Sequence, residues 1–332
     1  MPGKPYQSKL RPYDDELFAL LDKGRSYRQA AEELNRKYHL DITHNAVFSF
    51  AKTRRPGRRG RQLFFEGLSP DIRDALLKQI AAVWTHDSTA IEGNTLTLGE
   101  TVKVLELGLT INGKPLRDHQ EVYGHARAID LIYRMIREPE VHENDLFELH
   151  RAVMDKSAVD ALNPVGGWKR DFNGTTGVIN EHSVYMEYAA PLDVPHLMKR
   201  WLERFNKAMN KAGKPSEAIA SYVWTHMSFV RIHPFFDGNG RVARLIANLP
   251  VLRSGYPPIV IPGEKRGEYI DLLWEYQNAA GQIKRGSQLL PAHPIIGRFA
   301  ALLKDQWQST ADLVDEARRR EAARHPRGTL RP

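Results

Sequence analysis

The sequence predicts a mainly α-helical chain with one small β-hairpin, and three observations carry that prediction. Apolar residues recur at helical spacing through long segments, as at positions 72, 76, 80, 83, 84 and 91, and again at 219, 222, 223, 227 and 230, a stripe that His226 completes. Helix-start residues stand before such segments: Ser26, Thr43, the pair Ser69-Pro70, and Ser216. Strand-like runs are few and short, the best being GVINEHSVYME, two β-branched or aromatic runs around Asn180 to Ser183.

In chain order, residues 1–53 read as three short helices: DDELFALLDKG, then SYRQAAEELNRKY capped by Ser26, then THNAVFSFAKTRR capped by Thr43. The small pair Ala30-Ala31 in the second helix and a third helix ending in Lys52, Arg54 and Arg55 suit a helix-turn-helix, with Thr43, His44, Asn45 and Ser49 toward base edges. The pattern is degenerate, so DNA contact through residues 26–61 and a protein-docking module both stand as readings. Residues 54–62, RRPGRRGRQ, read as a basic linker. From 63 to 310 the chain reads as one helical body. Its first long helix, 70–92, ends at Gly93, and HQEVYGHARAIDLIYRMI, NDLFELHRAVM and VPHLMKRWLERFNKAM follow. Residues 311–332 read as a basic tail.

Composition narrows the chemistry. At 332 residues the chain can bury a core of ordinary size without staples. It has no cysteine, which excludes a disulfide framework, a thiolate zinc site and a cysteine nucleophile, and fits a reducing cytoplasm. No run of eighteen apolar residues and no apolar signal core appear, so neither membrane nor secretion is expected. The net charge is +8, and the basic excess lies in the first 62 residues and after Arg318, leaving a mildly acidic body.

The densest chemistry lies in HPFFDGNGRVAR, residues 233–244. Pro234 disfavours the α conformation at His233, so the preceding helix ends there, at a corner that should expose the imidazole. One of Phe235 and Phe236 should plug the core. Gly238-Asn239-Gly240 can turn successive N–H groups toward one point at a helix start, a nest for an anion. Asp237 offers a hard oxygen suited to Mg²⁺, and Arg241 and Arg244 should lean back toward the nest. His233 adds a base. Taken singly, each residue suits a glycine-rich turn with surface arginines; together they suit a triphosphate site. GNGRVA also fits the dinucleotide fingerprint, but a helix rather than a strand precedes it, which excludes that reading.

The stretch resembles the Fic motif, H-P-F-x-D/E-G-N-G-R-x-x-R, at every defined position, and the resemblance extends over about residues 63–305. It implies a Fic-type helical bundle that transfers AMP from ATP to a Ser, Thr or Tyr hydroxyl of a protein, with Mg²⁺ as cofactor. By that resemblance His233 would deprotonate the hydroxyl and Asp237 would hold the Mg²⁺. Gly238, Asn239 and Gly240 would cradle the phosphates, Arg241 would steady the leaving pyrophosphate, and Arg244 would bind the γ-phosphate.

A second constellation precedes it. Ser88 and Glu92 share a helical face one residue before Gly93, and a carboxylate at a helix C-terminus opposes the dipole and wants a cation. STAIEGN is similar to the family's inhibitory pattern, S/T-x-x-x-E-G/N. That similarity implies that Glu92 pairs with Arg244 and denies it to the γ-phosphate. IEGNTLTLGE is especially similar to animal endoplasmic-reticulum members, in which the same glutamate serves AMP removal. The resemblance also implies a flap, placed at 177–186, that holds the target by strand pairing, and a protein target that it does not identify, the chain itself being one candidate; a homodimer is expected by family analogy alone. GEYIDLLWEYQNAAG resembles the segment beside the adenine, so Tyr269 and Asn278 stand either as base contacts or as helix packing. The alternative function is a DNA-binding regulator whose Fic body senses nucleotide.

Overall fold

The computed structural model describes residues 10–22, 25–54, 62–154, 163–179, 181–209 and 213–324, so most of the expected linker, 54–62, lies outside the described residues. The chain divides into a unit of residues 1–60 with 137–139 and a unit comprising the rest.

The first unit holds three helices, α1 (Asp14–Asp22), α2 (Tyr27–Tyr38) and α3 (His44–Arg54). Ser26 accepts from the Gln29 N–H while Gln29 returns a bond to the Ser26 N–H, a reciprocal cap that fixes the start of α2. Thr43 Oγ1 accepts from Ala46 N at 3.2 Å, so both expected caps are present. Leu17, Ala30, Leu34, Val47 and Phe50 form the small core. Thr43, His44, Asn45 and Ser49 are exposed, whereas the side chains of Lys52 and Arg54, and all of Arg55, lie outside the description.

The second unit is a helical bundle with one hairpin. Its helices are α4 (Pro70–Ala90), α5 (Leu98–Leu107), α6 (Leu116–Met135), α7 (Glu143–Met154), α8 (Val194–Met209), α9 (Pro215–Ile232), α10 (Asn239–Ile246), α11 (Leu249–Arg253), α12 (Arg266–Ala280), α13 (Pro294–Gln306) and α14 (Gln308–Arg324). Proline at the first position of α4, α9 and α13 costs no hydrogen bond there and presets φ for the helix. Thr97 and Glu100 cap α5 reciprocally. Ser216 does not cap α9: it lies inside the helix, and Glu217 accepts from the Gly213 and Lys214 N–H groups instead.

α9 runs through the middle and packs on α8, α10, α11 and α13. Its expected stripe is buried or half-buried, but Trp224, Thr225, Ser228, Phe229, Arg231 and Ile232 are buried as well, because neighbours surround the helix. One core gathers Trp84, Trp201, Phe205, Phe229 and Phe235, and a second gathers Tyr222, Tyr269 and Phe299 on the other side of α9.

Strands β1 (Gly174–Ile179) and β2 (His182–Glu187) pair antiparallel with Thr176 opposite Tyr185. The flap therefore runs 174–187, wider at both ends than the expected 177–186. The basic tail expected from 311 is also different: up to Arg324 it belongs to α14, which packs on α4, with Arg324 bridging Asp71 and Glu321 accepting from Ser69. Among the described residues no helix is long and apolar enough to cross a membrane.

Candidate active site

α9 ends where Pro234 requires it to end. His233 takes a left-handed conformation, φ 54°, ψ 60°, outside the α region that Pro234 disfavours. Its Nδ1 lies 3.2 Å from Val230 O, so that nitrogen carries the proton and Nε2 keeps the lone pair. The ring is not as open as the corner suggested: Tyr188, at the base of the flap, stacks on it with centroids 3.7 Å apart. Burial, then the positive charge of Lys169, hold His233 well below the usual histidine range, and so in its basic, neutral form.

Phe235 is the plug, fully buried, while Phe236 is exposed. The turn is held from inside by Asn239, whose Oδ1 accepts from Phe235 N at 2.9 Å and whose Nδ2 donates to Phe235 O at 2.8 Å. Hence the Asn239 side chain builds the loop, and only its backbone is left for an anion. Gly238 has φ +76°, and a Cβ there would meet Met154 Sδ at 2.7 Å, so glycine is needed twice over. The N–H groups of Asn239, Gly240 and Arg241 open α10 and have no acceptor within the helix.

His150, which no sequence signal marks, supports this turn. It stacks on Phe235 at 3.9 Å, accepts from Gly166 N at Nδ1, and donates from Nε2 to Asp237 O at 3.1 Å. Burial lowers it to about 4, in keeping with that neutral tautomer.

One cavity runs beside these groups, lined at its polar end by Glu92, His233, Asp237, Gly238, Asn239, Gly240 and Arg244. Arg244, 3% exposed, donates Nε to Ser88 Oγ at 3.1 Å and Nη2 to Ser88 O at 2.8 Å and Glu92 Oε1 at 2.6 Å. Its Nη1 donates to Tyr269 Oη at 3.2 Å, and Tyr269 meets His226 Nε2 at 3.0 Å. Burial opposes the guanidinium charge, and Tyr269 and Glu92 more than restore it. Glu92 follows α4 in a turn closed by Gly93 at φ +95°. A Cβ on Gly240 would lie 2.7 Å from Glu92 Oε1, so the carboxylate sits directly over the nest.

Two expected placements differ. Arg241 does not line the cavity: it donates to Val153 O at 3.1 Å and lies 3.8 Å from Glu121, tying α10 to α6 and α7. Three residues from Arg244 is far enough around the helix for the two arginines to diverge, and the Glu121 carboxylate draws Arg241 away. Asn278 is exposed and does not line the cavity either, whereas its neighbour Gln277, 4% exposed, does, with an Nε2 that finds no acceptor in the protein. Tyr269 lines the cavity and is 1% exposed, so packing and site are both its roles. The far end is closed by Ile270, Leu273, Trp274 and Tyr276 of α12 and by Thr175 of β1.

Residues 140–251 match the model of the Fic/DOC family. Protein adenylyltransferase fic-1 of Caenorhabditis briggsae is 32% identical over 197 residues, covering 58% of this chain and 36% of that protein. Protein adenylyltransferase Fic of Drosophila grimshawi is 29% identical over 265 residues, 80% of this chain and 48% of that one. The chain thus spans between a third and a half of these relatives' length. Among solved structures, a Fic-domain signaling protein from Bacteroides thetaiotaomicron superposes with TM-score 0.66 and 26% identity, covering 76% of this chain and 92% of the other. Fic-1 of Caenorhabditis elegans shares the fold at TM-score 0.54 and 24% identity over 92% of this chain and 76% of that one. The matched segment carries the whole loop 233–244, while Glu92 reaches it from the turn after α4, outside the match; in loop and fold alike, residues 140–251 are similar to the Fic/DOC family.

Proposed function

We propose that the chain is an autoinhibited protein AMP-transferase, moving AMP from ATP to a hydroxyl of a protein. The observation that carries the reading is the Glu92–Arg244 contact over Gly240: a carboxylate rests where an anion cradle, a buried guanidinium and a base converge. A triphosphate uses the same three groups, so the two compete.

In the transfer, the target's hydroxyl oxygen attacks the α-phosphorus, a new P–O bond forms, and the bond to the leaving pyrophosphate breaks. His233 Nε2 takes the hydroxyl proton, and its neutral state readies it to do so. The first N–H groups of α10 hold phosphate oxygens, and Arg244 holds the γ-phosphate once Glu92 withdraws. Arg241 fixes the pitch of α10 from behind. Among the described residues no cluster of three or more His, Asp or Glu could hold a metal by itself. Asp237, an exposed carboxylate at the cavity, suits Mg²⁺, which is usually held by one or two carboxylates together with substrate phosphates and water. Mg²⁺ held by Asp237 would supply positive charge to offset that of the phosphates. Gln277 supports adenine, because an amide offers a donor and an acceptor side by side, as the adenine edge requires.

The test is incubation with α-³²P-ATP and Mg²⁺. Glu92→Gly should label itself or other proteins strongly, wild type weakly, and Glu92→Gly/His233→Ala not at all. A Glu92→Gly protein that transfers no label ends the reading. DNA contact by α3 is a second reading, favoured by the shared exposure of Thr43, His44, Asn45 and Ser49. It requires sequence-dependent mobility shifts that survive rising salt.

A further inference from the structure

Lys169 has no part in the transfer just described, yet it is a lysine almost wholly removed from water, 2% exposed. Its backbone N–H donates to Pro234 O at 2.9 Å. Its ammonium donates to Asn173 Oδ1. Asn173 donates Nδ2 to Phe235 O at 2.9 Å and Phe236 O at 3.1 Å, and its carbonyl accepts from Tyr188 N at 3.1 Å. Tyr188 in turn covers the His233 ring. Four consecutive residues of the motif loop, 233 to 236, are therefore each held by the segment 169–173 or by a residue bonded to it.

The ammonium is costly to keep there. Burial lowers its pKa to about 7, with Glu187 at the end of β2 acting the other way. A methionine of similar length fills such a slot without desolvating a charge, so packing alone does not account for lysine. What the ammonium does, and methionine does not, is orient Asn173. That amide has to face both carbonyls with its nitrogen, and a donor fixed on its oxygen settles which way it lies. The positive charge also acts on His233, where it favours the neutral imidazole against the opposing pull of Asp237.

We propose that Lys169 is a positioning residue: held on Asn173, it locks the 233–236 loop to the base of the flap, setting where a hydroxyl carried by the flap meets His233. The proposal rests on the transfer reading above. Nucleotide contacts lie elsewhere, on the start of α10, Arg244 and α12, so the lock acts on the rate of transfer and leaves nucleotide affinity alone.

The experiment uses the full chain with Glu92→Gly. Adding Lys169→Met should lower kcat about tenfold, the scale of a loop displaced by less than an ångström. The Kd for ATP should change less than about twofold, and Lys169→Arg should recover to within about threefold of the parent. Asn173→Ala should give the same loss, and the double variant no further loss, because both break one lock. Parent-like kcat in Lys169→Met overturns the proposal, as does a fall in rate and ATP affinity together, or additive losses in the double variant. If Lys169→Met does not fold, Asn173→Ala breaks the lock from its other side. If the Glu92→Gly parent transfers nothing, the proposed function fails, and the lock is read by hydrogen exchange at residues 234–238 instead. Faster exchange there in Lys169→Met, at unchanged melting, upholds the lock, and unchanged exchange overturns it.

Discussion

Arg244 and Glu92 meet at 2.6 Å from unequal positions: the arginine side chain is 3% exposed and the glutamate 36%. Arg244 is pinned by Ser88 and Tyr269 whether or not Glu92 is present, whereas Glu92 has the turn around Gly93 to swing on. The mobile partner of the pair is therefore the carboxylate. Glu92→Gln, which keeps size but loses charge, should raise nucleotide transfer at least tenfold over wild type, and Glu92→Gly should raise it further. Solvent screening at the exposed carboxylate keeps the stability cost near 1 kcal/mol, a fall in Tm of about 2–4 °C. Transfer assays and thermal melts on the two variants check both halves.

Tyr269 links that pair to the core. Its hydroxyl accepts from Arg244 and sits 3.0 Å from His226 Nε2, to which it donates when the neutral ring carries its proton on Nδ1. Tyr269→Phe leaves His226 buried without its partner and loosens one of the bonds holding Arg244. Stability should fall by about 1–3 kcal/mol, the usual cost of orphaning a buried polar group. In the Glu92→Gly background the KM for ATP should rise while kcat holds. Urea unfolding and steady-state kinetics measure the two effects.

How much of this was legible differs residue by residue. The loop 233–244 was readable because its chemistry is local: proline ends a helix, glycines open the next, and the base, acid and nest follow within twelve positions. Glu92 was readable because a carboxylate at a helix end asks for a cation, and the resemblance named which one. His150, Lys169 and Gln277 were not, since each acts through contacts between segments far apart in the chain, and a single buried polar residue leaves no periodic trace. Arg241 was misplaced for the same reason: helical spacing put it near Arg244, and Glu121, 120 positions earlier, turned it away. The choice of Asn278 over Gln277 was a one-residue error of helical phase, about 100° around α12.

Gln277 and Asn278 provide a paired test of that phase. Gln277→Leu removes the amide at the cavity and should weaken ATP binding about 5- to 30-fold, equivalent to 1–2 kcal/mol. Asn278→Ala, on the exposed side, should bind ATP as the parent does. Calorimetric titration of both variants in the Glu92→Gly background decides it.

Three buried histidines and the half-buried His233 set the acid limit of the fold. His150 is lowered to about 4 and His226 to about 3 from an ordinary 6.5, and His125 and His233 are also held down, burial being the first cause in each case. A depressed histidine pKa means that the unfolded chain binds more protons, so the stabilisation is complete above pH 6.5 and drains away as pH falls toward 3–4. Stability should be level from pH 7 to 8 and fall below 6.5 by up to about 1.4 kcal/mol per pH unit for each such group. His226→Gln should reduce that slope by about one group. Urea midpoints taken between pH 4 and 8 give the slope directly, and a flat profile contradicts the buried neutral rings.

Gly177 tests whether the flap and the proposed nucleotide cavity share a wall. A Cβ at this strand position would fall 1.8 Å from the Trp274 ring, and Trp274 lines the far end of the cavity together with Thr175 of β1. Glycine is required here by close approach, since the strand backbone lies directly on the indole. Gly177→Val restores good strand propensity, so the hairpin itself should form, but it has to lift from α12 or push the indole into the cavity. Either movement spoils target docking. In the first case ATP affinity holds while transfer to protein falls at least tenfold; in the second both fall, and Trp274 emission shifts. Parent-like transfer with an unshifted indole would mean that the strand does not rest on Trp274 during the reaction.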